Sequence, residues 1–394
     1  MTLPAITDAQ RRARIGRRHH LAPGTAVDDV AVVADSLVGL HSSDPVAVYL
    51  SAAARLISPS IAAVDEALYG GRSVIRHHAM RRTLWVMTPE TARAAHASST
   101  AKVAISQRKR LVKMLATNPE VEDPERWLDR ACELVLGFVH DHGETTTRAV
   151  GDAFPDLRVA IVPAGSPPGT SIAAHTRVLL QLGFEGALVR VRPAGTWING
   201  QYRWRAMGDW SALGIAGGDP ESSSERIVEM WLRAFGPGPV DDLKWWTGWT
   251  VATVRRALDA VGAVEVSLDD GTTGWSGPAD LDPEPDPEPW VALLPGLDPT
   301  TMGWKARNWY LDPDHVAPLF DRNGNAGPTI WVDGRIVGGW VQRHDGTIAL
   351  GLLTDPGREA FEAIETRAAA LETLLGDTRF KVRFPAPQQK TLLA

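Results

Sequence analysis

Hydrophobic positions along the chain fall into short runs, and the runs repeat a pattern. Val30, Val33, Ala34 and Leu37 stand at i, i+3, i+4 and i+7, which predicts a helix over 26–40. Val46, Leu50, Ala53 and Ala54 continue with similar spacing and predict another. Between them lies a polar run, His41-Ser42-Ser43-Asp44-Pro45. Asp44-Pro45 has the form of a helix start, with Asp as N-cap and Pro at the first helical position. An earlier helix is expected over 7–21 and a short one over 61–69, with Ala62, Leu68 and Tyr69 inward. The composition then turns β-rich at Thr83-Leu84-Trp85-Val86-Met87. Several helices followed by a basic strand outline a winged helix.

The outline returns twice. Leu128, Cys132, Val135 and Val139 mark one helix face, Gly143 ends that helix, and Thr145-Thr146-Thr147 opens a short one. A loop rich in Pro and Gly over 163–170 leads to a helix over 171–182 and a hairpin of 184–192 with 196–204. In the third pass Ser224 is expected to cap a helix bearing Ile227, Met230, Trp231 and Ala234. Helices over 240–249 and 250–261 follow, then a hairpin at 264–276. The acidic, proline-rich run LDPEPDPEP at 281–289 reads as a stiff linker. Beyond it strands are expected at 291–294, 329–332, 335–342 and 347–352, two Asp-Gly hairpin turns, a helix at 361–375 and a last strand at 379–384. The fold class is therefore mainly α with β-hairpin wings (α+β): three tandem winged-helix units and a small β-barrel-like C-terminal domain. The expected boundaries are 1–116, 117–218, 219–281 and 282–394.

Composition narrows the setting. With 394 residues the chain is long enough for two to four domains, and its single cysteine rules out an intramolecular disulfide framework. The N-terminal segment lacks the apolar core of a signal peptide, and no run is long enough to span a membrane, so a cytoplasmic protein with no membrane partner is expected. The net charge of −6 is unevenly spread: up to Lys113 there are 16 Lys and Arg against 8 Asp and Glu, leaving −14 for the rest. A basic N-terminal part suits a nucleic-acid partner. Arg17, Arg18, Arg76, Arg81, Arg82, Arg108, Lys109 and Arg110 are the candidate phosphate contacts.

Several chemistries are absent. There is no Walker-type loop, dinucleotide fingerprint, nucleophile elbow or H-E-x-x-H, and the adjacent pairs His19-His20 and His77-His78 do not converge on one metal. No metal or cofactor is expected. Trp245, Trp246 and Trp249 lie at helical spacing and read as core rather than a stacking platform. Asp298, Lys305 and Arg307 fit either a buried ion pair or a channel lining.

Three stretches carry a resemblance: LHSSDPVAVYLSAAARL, ALYGGRSVIRHHAMRRTLWVM, and PWVALLPGLDPTTMGWKARNWYLD followed by GPTIWVDGRIVGGW. In this order, over nearly the whole chain, they resemble the large winged-helix family that includes the AlkZ-like and YcaQ-like DNA glycosylases. The resemblance implies tandem winged helices around a channel closed by a β-barrel domain. It implies excision of bulky alkylated purines, unhooking of interstrand crosslinks and protection against genotoxins. The family's motif, Gln, one residue, then Gln or Asp before an Asp-Pro, maps onto His41 and Ser43, both of which differ from the family's pairs. The expected catalytic set is His41 as base, Ser43 as water-orienter and Asp44 as a source of negative charge. Lys305 and Arg307 join the expected DNA contacts. The expected partner is double-stranded DNA containing alkylated bases, bound by a monomer. The alternative is a DNA-binding protein of the same architecture without hydrolysis, a lesion sensor or regulator.

Overall fold

The computed structural model describes residues 3–163, 165–167 and 169–394. The first element is a two-residue strand, β1 (Ala5–Ile6), followed by α1 (Asp8–Arg18), α2 (Val30–Ser36), β2 (Leu40–His41) and α3 (Pro45–Ala53). Asp44 caps α3 as expected: its Oδ1 accepts from the Val46 N–H at 3.1 Å, and Pro45 takes the first turn. Next come α4 (Ile61–Asp65), β3 (Ile75–His78), β4 (Leu84–Met87), α5 (Pro89–Ala95) and α6 (Ala101–Leu115). α4 buries Val64, with Ala67 and Leu68 beyond it, while Ala62 faces solvent, so the inward face is rotated from the expected one. β2, β4 and β3 form an antiparallel sheet in that spatial order.

The second pass holds α7 (Pro124–His142), α8 (Thr147–Ala153), β5 (Ala160–Ile161), β6 (Ile172–Ala173), α9 (His175–Phe184), β7 (Leu188–Pro193) and β8 (Tyr202–Ala206). The expected loop over 163–170 includes residues 164 and 168, which lie outside the described residues. The β7–β8 hairpin is shorter than expected; 196–201 belongs to its loop. After α10 (Met207–Trp210), the third pass is α11 (Pro220–Phe235), α12 (Val240–Thr247), α13 (Val251–Ala260), β9 (Val264–Leu268) and β10 (Thr273–Ser276). α11 starts a turn earlier than expected, because Asp219-Pro220 repeats the cap of Asp44-Pro45, and Ser224 lies inside the helix. β1 pairs in parallel with β9, Ala5 opposite Ser267 and Ile6 opposite Leu268.

The C-terminal part is an open four-stranded antiparallel meander of β11 (Val291–Leu294), β12 (Thr329–Val332), β13 (Arg335–Gln342) and β14 (Ile348–Leu352), with α14 (Val316–Leu319) in the β11–β12 connection. The expected barrel does not close: β11 and β14 are the free edges, and α15 (Arg358–Leu375) packs against both. The last strand expected at 379–384 is irregular chain, which leads to α16 (Pro387–Leu393). The largest core runs through the first and third passes into the C-terminal sheet and includes Trp85, Trp231, Trp246, Trp304 and Trp331. Trp246 is thus core, as read from its spacing; Trp245 and Trp249 pack on its edge. A second core fills the α7–α9 pass.

The acidic linker is not free. Asp280, one residue before it, and Glu284 within it take Arg14, Arg17 and Arg18 of α1, at 3.1 Å for Arg14–Asp280, 3.0 Å for Arg17–Glu284 and 2.6 Å for Arg18–Asp280. Among the described residues no helix is long and apolar enough to cross a membrane.

Candidate active site

The polar run at 41–45 is held by the small sheet and by the cap of α3. β2 places His41 opposite Trp85, and the Ser42 N–H donates to the Leu84 carbonyl at 2.7 Å. His41 is buried, its ring 5.1 Å from that of Trp85, and its Nδ1 accepts from the Ser43 N–H at 3.4 Å. Burial, with a smaller push from Arg81, lowers its pKa to about 3, so it stays neutral through the physiological range. Asp44 is buried too. Its second oxygen accepts from the Arg383 N–H at 3.1 Å, which ties the C-terminal segment to the start of α3. Burial raises the Asp44 pKa, against the two N–H bonds and the Arg383 charge.

Ser43 is the member of the trio that borders open space. With Ser42 it lines a cavity of about 860 Å³ whose other walls come from the β3–β4 hairpin, the second pass and the C-terminal segment. Arg82, Arg148, Arg190 and Arg383 supply positive charge, Tyr202 and Trp204 supply aromatic rings, and none of the lining residues is acidic. Behind Ser42 the Arg76 guanidinium is buried. Its Nε donates to Ser42 Oγ at 3.1 Å, its Nη1 donates to the Tyr69 hydroxyl, and it stacks 4.5 Å from the Tyr202 ring. Arg190 lies over Trp204 at 4.9 Å, and burial lowers its pKa to about 10. His78 closes one side against Phe184 at 4.4 Å, and burial holds it well below the ordinary histidine range. Gly200 brings the β7–β8 loop up to this wall; a Cβ there would sit 3.1 Å from the Arg383 guanidinium.

The family model for AlkZ-like DNA glycosylases matches residues 34–374, most of the chain and all of this site except Arg383 and Phe384. The chain belongs to the AlkZ-like DNA glycosylase family. No curated protein sequence matches it. Among solved structures, the Streptomyces sahachiroi DNA glycosylase AlkZ is similar in fold, with a TM-score of 0.72 at 20% identity, covering 96% of this chain and 99% of that one. Membership makes the protein a DNA repair glycosylase, a hydrolase with DNA as substrate.

The other expected contacts of this AlkZ-like glycosylase divide sharply. Arg82 faces the cavity, and Arg110 and Lys109 are exposed on α6. Arg76 points inward to Ser42, and Arg81 stacks on Trp245 at 4.3 Å. Arg17 and Arg18 are engaged by the linker, and Arg108 pairs with Asp129. Lys305 and Arg307 are not in the cavity wall. Lys305 approaches Asp241 at 3.7 Å, and Arg307 stacks on Phe320 at 4.5 Å. Asp298 forms the buried pair, meeting Arg55 at 2.7 Å. Arg148, Arg190, Tyr202, Trp204 and Arg383 line the cavity but were not among the expected site residues. The alternation Arg190-Val191-Arg192 and Tyr202-Arg203-Trp204-Arg205, basic residues interleaved with aromatics, was the available signal.

Chemically, the site offers cationic walls, rings on which a base can stack and one hydroxyl at the motif. It offers no residue that is a strong base at neutral pH.

Proposed function

We propose that this glycosylase hydrolyses the N-glycosidic bond of alkylated purines in duplex DNA. Bulky 7-alkylguanine is the main substrate, including the arms of interstrand crosslinks, and the outcome is resistance to alkylating genotoxins. The observation that carries this reading is a roomy, cationic cavity at the motif whose wall holds no carboxylate. A purine alkylated at N7 is already a cation. When its C1′–N9 bond breaks, the electron pair neutralises the ring, and water captures the sugar cation and releases a proton to solvent. Such a leaving group needs little acid or base help, whereas a neutral base would need a good deal. About 860 Å³ is within the size range of pockets that enclose drug-sized ligands, enough to receive a base with a large adduct.

In this reading Ser43 orients the water, and His41 and Asp44 act through it. His41 holds the Ser43 N–H, and Asp44 fixes the helix start and Arg383. Arg82 supplies phosphate contacts at the cavity, and Arg110 and Lys109 supply them on α6. The three passes act as winged-helix units over 1–116, 117–218 and 219–281, with 282–394 as the closing part. The enzyme works in the cytoplasm as a monomer.

The test is base release from duplexes carrying 7-methylguanine, a bulky 7-alkylguanine or uracil, with Ser43→Ala and His41→Ala beside the unaltered chain. Release of both cationic bases but not uracil is expected, with Ser43→Ala slower by about 100-fold, the lower end of the range for positioned groups. Uracil release at a similar rate would refute the leaving-group argument. No release from any duplex together with tight lesion binding would favour the sensor.

A further inference from the structure

Next to the active-site cavity lies a second, smaller groove that the reaction does not use. The turn between β3 and β4 separates the two. Arg81 and Arg82 in that turn both have left-handed backbone, with φ of 55° and 63°, a conformation that side-chain-bearing residues seldom adopt and that surrounding contacts must hold. Those contacts are present. Arg81 is clamped over Trp245, and Thr83 Oγ donates to the Met80 carbonyl at 2.8 Å and accepts from Trp85 Nε1 at 2.7 Å. Arg82 is left exposed and lines both spaces.

The second groove encloses about 320 Å³ between α6 and α9. Arg81, Arg82, Arg110 and Arg177 surround it, with Gln107 as a neutral donor. Leu111, Met114 and Phe184 give it an apolar floor, and none of its lining residues is acidic. Among the described residues no carboxylate lies within ion-pair distance of Arg82, Arg110 or Arg177. Their neighbour Arg108, on the same helix, is paired with Asp129 outside the groove. Like charges gathered without counter-charges repel one another, and a bound polyanion relieves that repulsion.

We propose that this groove is a separate seat for the phosphodiester backbone of the duplex arm beside the lesion, and that Arg82 joins it to the active-site cavity. The proposal rests on duplex DNA being the substrate. Backbone contacts carry affinity without sequence or damage information, so the groove grips any duplex while the cavity selects the altered base.

The full chain is compared with the double variant Arg110→Gln/Arg177→Gln, and with Arg367→Gln on helix α15 as a control for loss of an exposed arginine outside the groove. Binding to an undamaged duplex and to one carrying a bulky 7-alkylguanine is measured from low to moderate salt. Each lost phosphate contact removes about 0.9 from the slope of log K against log salt. The double variant is therefore expected to flatten the slope by about 1.8 on both duplexes, and Arg367→Gln to leave it unchanged. Base release at limiting enzyme falls in step with affinity. An unchanged slope in the double variant, or an equal change from Arg367→Gln, overturns the proposal. If the unaltered chain releases no base but the double variant still flattens the slope, the groove stands and the glycosylase substrate assigned above falls.

Discussion

Five of the six buried histidines are expected to make this fold sensitive to mild acid. His19, His41, His77, His78 and His96 are all buried. Burial lowers His19 and His41 to about 3 and His96 to about 4, and holds His77 and His78 well below the ordinary range. Their hydrogen bonds require the neutral ring. His19 Nε2 donates to the Ala234 carbonyl at 2.9 Å while its Nδ1 accepts from Thr300 at 2.8 Å, and His77 Nε2 and His96 Nδ1 share one proton at 3.1 Å. The unfolded chain takes up these protons near pH 6.5 and the folded chain does not. Stability is thus complete above that pH and is lost as pH falls towards the folded values. At pH 5 a histidine with a folded value of about 3 or 4 costs about 2 kcal/mol relative to pH 8, about 6 kcal/mol for His19, His41 and His96 together, and His77 and His78 act in the same direction. Asp242, pushed up to about 6 by burial, gains a proton in the folded state and offsets about 1 kcal/mol. The remainder is comparable to the whole stability of an ordinary domain, about 5–15 kcal/mol. Urea midpoints followed by circular dichroism should fall steadily below pH 6.5. The double variant His77→Gln/His96→Gln should show a shallower fall. A midpoint that is the same at pH 8 and pH 5.5, or that drops only below pH 4 where carboxylates titrate, would refute the reasoning.

Three further outcomes follow from the packing. Asp298→Asn should cost about 3–5 kcal/mol in urea unfolding, because it leaves the fully buried Arg55 guanidinium without its charge partner. A loss under 1 kcal/mol would show that water reaches the pair. Asp44→Ala should destabilise by about 1 kcal/mol through the lost cap and should also free the Arg383 segment, read as faster amide exchange at 383 and 384. Unchanged exchange would mean that other contacts hold it. The rate of base release at saturation should be flat from pH 6 to 8, since His41 and His78 remain neutral across that range; a midpoint near 6.5 would place an ordinary histidine in the reaction.

Element types were largely legible from spacing, because caps and periodicity act locally: the Asp44-Pro45 cap, the α7 face and the Asp-Gly turns all formed where the residues implied. What escaped depends on partners far away in sequence. The segment 379–384 has strand-like composition, but Asp44 and Gln342 take its backbone instead of a ladder. The arginines of α1 read as a nucleic-acid face, yet the linker carboxylates reach them from more than 260 residues away. Half of the site was visible as the polar run at 41–45. The other half arrives on the β7–β8 hairpin and the C-terminal segment, and no local signal says that they meet Ser43.

The parallel pairing of β1 with β9 bears on how the chain is made. Ala5 and Ile6 are synthesised some 260 residues before Ser267 and Leu268, their ladder partners among the described residues. At about 5–20 residues per second, β1 waits roughly 15 to 50 s for β9, with Ile6 uncovered meanwhile. A strand made early is therefore seated late, and the nascent protein depends in that interval on whatever shields Ile6.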